Sequence, residues 1–163
     1  MDDLQRNKKT YTPKQAKLKI ESYCAYQERA QQEVRDKLYE WGLHQLDVEN
    51  IIADLISENF LNEERFAKAY VSGKFKIKGW GKTKIIQHLK LKRISTPLIK
   101  IALKEIDQDE YIDTLDKIIA KKVLGNPAEL SYNEKAKVVR YLQGKGFESD
   151  LIFDRLKSND EDY

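Results

Sequence analysis

An eleven-residue pattern recurs three times in this chain of 163 residues, and it constrains the fold more than any other feature. Glu33-Val-Arg-Asp-Lys-Leu38-Tyr-Glu-Trp-Gly42-Leu43 lies without gaps over Lys84-Ile-Ile-Gln-His-Leu89-Lys-Leu-Lys-Arg93-Ile94, 51 residues on. Both lie over Lys137-Val-Val-Arg-Tyr-Leu142-Gln-Gly-Lys-Gly146-Phe147, a further 53 on. The apolar positions coincide in all three copies. They step three and four residues apart, the period of an amphipathic helix, and no segment sustains the alternation of a strand. Agreement continues past the turn: Val48, Ile51 and Ile52 match Ile99, Ala102 and Leu103, and Ile152 and Leu156 fill the same places in the third copy. Arg155 breaks the pattern once. A period near 50 residues implies stacked units that each bury one face against the next.

Helix boundaries are also legible. Thr12-Pro13 and Thr96-Pro97 each set a hydroxyl before a proline at the first helical position, where the missing N–H costs nothing. Asp107 to Glu110 and Ser131 to Glu134 have the capping-box spacing, and Asn62-Glu63-Glu64 sets a cap and two acids against a helix start. Gly42 and Gly146 suit the left-handed residue that closes a helix. A further helix precedes each copy, over about 13–27, 63–77 and 107–124, which makes each unit a helix triplet. The expected fold is all-α, with three tandem three-helix repeats forming an elongated, curved modular stack. Its expected parts are a flexible tail over 1–12, triplets over 13–60, 61–106 and 107–157, and an acidic tail over 158–163.

Composition excludes several classes. No run of roughly 18 uncharged apolar residues is present to cross a bilayer, and the stretch through Lys14 lacks the apolar core of a secretory signal. A cytoplasmic protein is expected. One cysteine, Cys24, forms no internal disulfide, and with only His44 and His88 beside it no metal site is expected. Cys24 belongs to an apolar helix and reads as core. No cofactor is expected either. Nucleotide hydrolysis has one foothold, Gly81-Lys82-Thr83, which matches the end of a phosphate loop. The complete motif needs a glycine five positions before Gly81, where Lys76 stands, and a buried strand ahead of it. No arrangement of Ser, His, Asp or Cys suggests catalysis, so the chain is not expected to be an enzyme.

Asn59-Phe60-Leu61-Asn62-Glu63-Glu64-Arg65-Phe66-Ala67, followed by Lys78-Gly79-Trp80-Gly81-Lys82-Thr83-Lys84-Ile85 and then Leu89 and Ile94, resembles the RecX family. The motif is carried by Phe60, Leu61, Arg65, Phe66, Ala67, Gly79, Trp80 and Gly81. It is densest in the middle unit. Two positions depart from it: Arg93 stands where the family usually has glycine, and Lys82 where proline is common. The resemblance implies a regulator in DNA repair and recombination. Such a protein binds the bacterial recombinase RecA, usually within the groove of its filament on DNA, and restrains filament extension, strand exchange and coprotease activity. The implied partners are RecA and single- and double-stranded DNA, directly or within the filament, with no membrane.

Charge patterning supports a polyanionic partner independently. Residues 65–104 hold 12 Lys or Arg and no Asp or Glu, although an even spread of the 27 acids would put about six or seven there. The net charge of +3 is therefore a sum of +12 in this stretch and −9 elsewhere. Lys74, Lys76, Lys78, Lys82 and Lys84 cross the turn between two helices, interleaved with Phe75, Ile77 and Trp80. Lys90, Lys92 and Arg93 form a second group. These eight are the candidate residues facing a filament or DNA; the plainer reading is a solvated face.

Single residues admit similar pairs of readings. Trp80, between two glycines, either plugs its own triplet or projects to stack on a base or fill a protein pocket. Arg65 either pairs with Glu63, Glu64 or Asp54 or contacts a partner, whereas Phe66 and Tyr70 read as core. His44 and His88 read as surface or boundary residues. A stand-alone helical DNA-binding protein is the second functional reading, with 81–91 and 96–105 as a helix-turn-helix. Its second helix offers few base-reading side chains, which points to low sequence specificity.

Overall fold

The computed structural model describes residues 9–157. The acidic tail expected over 158–163, and 1–8 of the expected N-terminal tail, lie outside them. Among the described residues the structure is all-α: nine helices, one 3-10 turn at Pro127–Glu129, and no strand. The first triplet is α1 (Pro13–Tyr26), α2 (Gln31–Glu40) and α3 (Gln45–Ser57). The second is α4 (Glu63–Lys76), α5 (Lys82–Leu91) and α6 (Thr96–Leu103), and the third α7 (Gln108–Lys122), α8 (Tyr132–Lys145) and α9 (Ser149–Lys157).

Local chemistry sets these boundaries. The Thr12 and Ser131 side chains each accept a backbone N–H three residues on, and Gln15 and Glu134 return the bond. Asn62 and Asp107 accept from Arg65 N and Glu110 N. At α6 the cap is Ser95, one residue before the expected Thr96, and its side chain makes no capping bond. Pro97 in the first turn removes one of the two N–H groups such a cap would serve.

The three copies close identically after their middle helices. Leu43, Ile94 and Phe147 N donate to Leu38, Leu89 and Leu142 O at 3.3, 3.1 and 3.1 Å. The residue between them is left-handed each time, with φ of 85° at Gly42, 59° at Arg93 and 101° at Gly146. Leu38, Leu89 and Leu142 are fully buried. In the third copy the register departs slightly, because Val139 rather than Val138 is the buried residue of the pair. Arg155, which breaks the apolar pattern, instead makes two hydrogen bonds to Asp116 of α7, at 2.8 and 2.7 Å.

The core is unevenly divided. The first triplet has its own cluster, built on Ile20, Leu38, Ile52 and Leu55. The second and third share one cluster, through which Phe75, Tyr111 and Phe147 run in ring contact at 5.8 and 5.2 Å. Ala30, at the start of α2, is the first triplet's buried contribution to that shared cluster. Polar groups do the rest of the joining there: Lys92 to Glu33 at 2.5 Å, Arg65 to Glu28 at 2.5 Å, and Gln31 N to Glu63 at 3.3 Å. Burial pushes the Glu63 carboxyl above its usual range, against the opposing pull of the Gln31 N–H and of Arg35.

A candidate nucleic-acid interface on the middle triplet

The turn between α4 and α5 builds one face of aromatic rings and cations. Gly79, with φ of 66°, lets the chain leave α4 while Gly79 N still bonds Phe75 O at 3.0 Å. Trp80 N then bonds Lys74 O at 3.0 Å, which folds the indole back over the helix pair. Its ring is half-buried against the core. The ring centroid lies 4.7 Å from that of His88, with Lys84 Nζ at 4.3 Å and Lys74 Nζ at 4.9 Å. Tyr70, one turn earlier on α4, has Lys74 Nζ at 5.4 Å and Lys92 Nζ at 5.8 Å. Lys84 and His88 on α5 and Lys92, the residue that caps its end, stand four residues apart, so they form a single stripe beside the two rings. Trp80 thus packs on its own triplet, the first of its two readings. It covers the end of its triplet and also presents a ring bracketed by ammonium groups.

The eight candidate residues do not all share this face. Lys74, Lys84 and Lys92 do, although Lys92 also holds Glu33 across the junction. Lys76 and Lys78 face a different depression of about 340 Å³, which Lys117, Lys121 and Lys145 of the third triplet also line. Lys82 is taken up by that triplet: its ammonium bonds Gln108 at 3.1 Å and lies 4.6 Å from the Tyr111 ring. Lys90 and Arg93 are exposed at the end of α5. His88 and Tyr70 belong to the face without having been candidates. The spacing of Lys84, His88 and Lys92 was the signal for the first, while Tyr70 is the wetter end of a pair with Phe66 whose rings lie 5.6 Å apart.

The Gly81-Lys82-Thr83 segment is not an open nest of donors. Gly81 N bonds Lys145 O at 2.8 Å, Lys82 N bonds the Tyr111 hydroxyl at 2.9 Å, and Thr83 N bonds Gly146 O at 2.9 Å. All three N–H groups that a phosphate would need are spent on the third triplet. The Tyr111 hydroxyl in turn donates to Glu148 at 2.7 Å, and burial pushes its pKa far up.

Comparison with known proteins fits this architecture. Residues 62–103 match the model of the RecX second three-helix domain, and 109–155 that of the third. The regulatory protein RecX of Vibrio campbellii is 32% identical over 153 residues, covering 94% of this chain and 95% of the relative. The chain belongs to the RecX family. The regulatory proteins RecX of Lactobacillus johnsonii and Lactobacillus gasseri are each 28% identical, and this chain spans only 56% and 61% of their lengths. A crystal structure of RecX from Lactobacillus salivarius superposes with a TM-score of 0.77 at 25% identity, covering 89% of this chain and 94% of that one.

In this RecX-family chain the motif residues mostly build the fold. Leu61, Phe66 and Ala67 are buried, and Phe60 packs on the first core. Arg65 pairs with Glu28 and also donates to Asn59 and to the Phe60 carbonyl, rather than pairing with Glu63, Glu64 or Asp54. The α1–α2 connection brings Glu28 in, a contact 37 residues away that helix phase alone does not reveal. Gly79 and Gly81 shape the turn and the junction. Trp80 is the motif residue that reaches the aromatic face. Among the described residues no group of His, Cys, Asp or Glu is arranged to hold a metal ion, and no helix is long and apolar enough to cross a membrane.

Proposed function

We propose that this chain is a cytoplasmic modulator of recombination and DNA repair. It binds RecA and its filament on DNA and restrains filament extension, strand exchange and coprotease activity. The observation that carries this reading is the face formed by Tyr70, Lys74, Trp80, Lys84 and His88 within a stretch of 40 residues devoid of carboxylates. The cations attract a phosphate backbone or an acidic protein groove, and the rings supply flat apolar contact once either is reached. Linked triplets each need only weak affinity, since binding of one raises the effective concentration of the others. Family membership supports the same reading, because its relatives are regulatory proteins.

Charge reversal of Lys74 and Lys84 tests it. The double glutamate variant is expected to keep its helicity and lose inhibition of RecA-driven ATP hydrolysis and strand exchange. Full inhibition by the folded variant would remove this face from the mechanism.

A further inference from the structure

A second surface, on the first triplet, combines rings and cations in a groove. Lys19, Tyr23 and Tyr26 lie at i, i+4 and i+7 of α1 and so form one stripe. Across from them Tyr11 is pinned to the end of α2: its N–H donates to Trp41 O at 3.1 Å, and the two rings meet edge to face at 5.3 Å. Arg29, from the connection to α2, closes the groove. Its guanidinium lies 3.6 Å from the Tyr23 ring, and its Nε donates to Tyr23 O at 3.0 Å. The groove has a volume of about 630 Å³, and no carboxylate lines it.

The electrostatics are the opposite of what the acidic surroundings suggest. Lys19 Nζ stands 4.9 Å from the Tyr11 ring, and Lys37 Nζ 6.0 Å from both Tyr23 and Trp41. Several of the triplet's acids are engaged elsewhere: Glu28 and Glu33 by the second triplet, Glu49 by Arg35, and Glu58 by Lys17. Tyr26 is 83% exposed, so its ring is open to a ligand in the groove. A ligand complementary to this groove must be anionic and must present flat faces. A double helix hides its base faces in the stack, and a run of Asp and Glu offers charge without flat faces. A single strand offers both.

We propose that this groove binds single-stranded nucleic acid, with bases stacked on Tyr26 and Trp41 and phosphates held by Lys19 and Arg29. The site is separate from the middle-triplet face, and its test involves no recombinase. Failure here therefore leaves the proposed function standing, and loss of RecA inhibition leaves this site standing.

The experiment titrates the full chain carrying Trp80→Phe, in which Trp41 is the one remaining tryptophan, with a thymidine dodecamer and with an abasic dodecamer of equal charge. Trp41 emission is expected to be quenched by the thymidine strand, which binds more tightly than the abasic one at the same salt. Tyr26→Ala, which leaves the core intact, is expected to weaken thymidine binding by about 5- to 150-fold while barely changing abasic binding. The same pair of strands, fluorescently labelled and followed by anisotropy with the Trp80-containing chain and its Tyr26→Ala variant, gives the result independently of how Trp80→Phe folds. Equal affinity for the two strands, or indifference of thymidine binding to Tyr26→Ala, would each overturn the proposal.

Discussion

Gly81 and Gly146 meet backbone to backbone across the junction of the second and third triplets. A Cβ built on Gly81 would fall inside 3.0 Å of the Gly146 carbonyl and the Phe147 nitrogen, and one on Gly146 would lie 2.8 Å from Lys84 N and 2.9 Å from Gly81 O. The contact lets Gly81 N and Thr83 N bond the end of α8 directly. In the repeat, Ala30 occupies the place of Gly81, and its N–H turns instead to Glu33 at 3.2 Å. The junction beside it relies on ionic side chains. Arg93, which carries a Cβ, stands where Gly146 does, so neither glycine of the main-chain joint recurs at the first junction.

Gly81→Ala is expected to destabilise the protein by about 1–3 kcal/mol, the usual cost of overpacking. Gly81 has φ of −76°, which any residue adopts, so the loss measures close approach alone and not backbone strain. Urea unfolding followed by circular dichroism checks this. A loss under about 0.3 kcal/mol would mean that the two triplets separate at little cost.

Arg93 holds a left-handed conformation that its counterparts Gly42 and Gly146 adopt freely. For a residue with a Cβ this costs roughly 1–2 kcal/mol, against the roughly 0.5–1 kcal/mol that a glycine loses in chain entropy on folding. Arg93→Gly is therefore expected to raise stability by about 0.5–1 kcal/mol while keeping the Arg93 N to Lys90 O bond. Thermal and urea melts read the sign directly, and a less stable variant would show that the Arg93 side chain contributes more than its backbone strain costs.

The helices, their caps and the triple repeat were legible in the sequence because each depends on residues within a turn or two of one another. Leu38, Leu89 and Leu142 announced the core by period alone. The division of the lysines was partly legible as well: at 100° per residue, Lys74 and Lys76 must point nearly opposite ways along α4. The joints were not. Nothing local to Gly81 says that residue 146 lies against it, or that Tyr111 caps the first N–H of α5. The groove on the first triplet was hidden for the same reason, since Tyr11 and Trp41 come together only when the start of α1 folds back on the end of α2. Arg65 illustrates the limit well: its acidic neighbours in sequence were the natural partners, yet tertiary structure delivers Glu28.

Cys24 provides a pH-dependent test of the first core. Its side chain is buried beside Ile20 and Leu38, and burial pushes the thiol from its ordinary value of 9.0 up to about 11, with Arg29 pulling weakly the other way. A raised pKa in the folded state means that the neutral thiol's contribution is complete below pH 9 and disappears as pH rises through about 11. The two-unit shift corresponds to about 2–3 kcal/mol at most. Cys24→Ala removes this dependence, while the tyrosines that titrate in the same range are common to both proteins. The stability difference between parent and variant is expected to favour the parent at pH 8 and to shrink by about 2 kcal/mol toward pH 11.5. Alkylation of the parent by iodoacetamide should remain slow until the same window. A stability difference that stays constant from pH 8 to 11.5, with rapid alkylation at pH 8, would place Cys24 in water and not in the core.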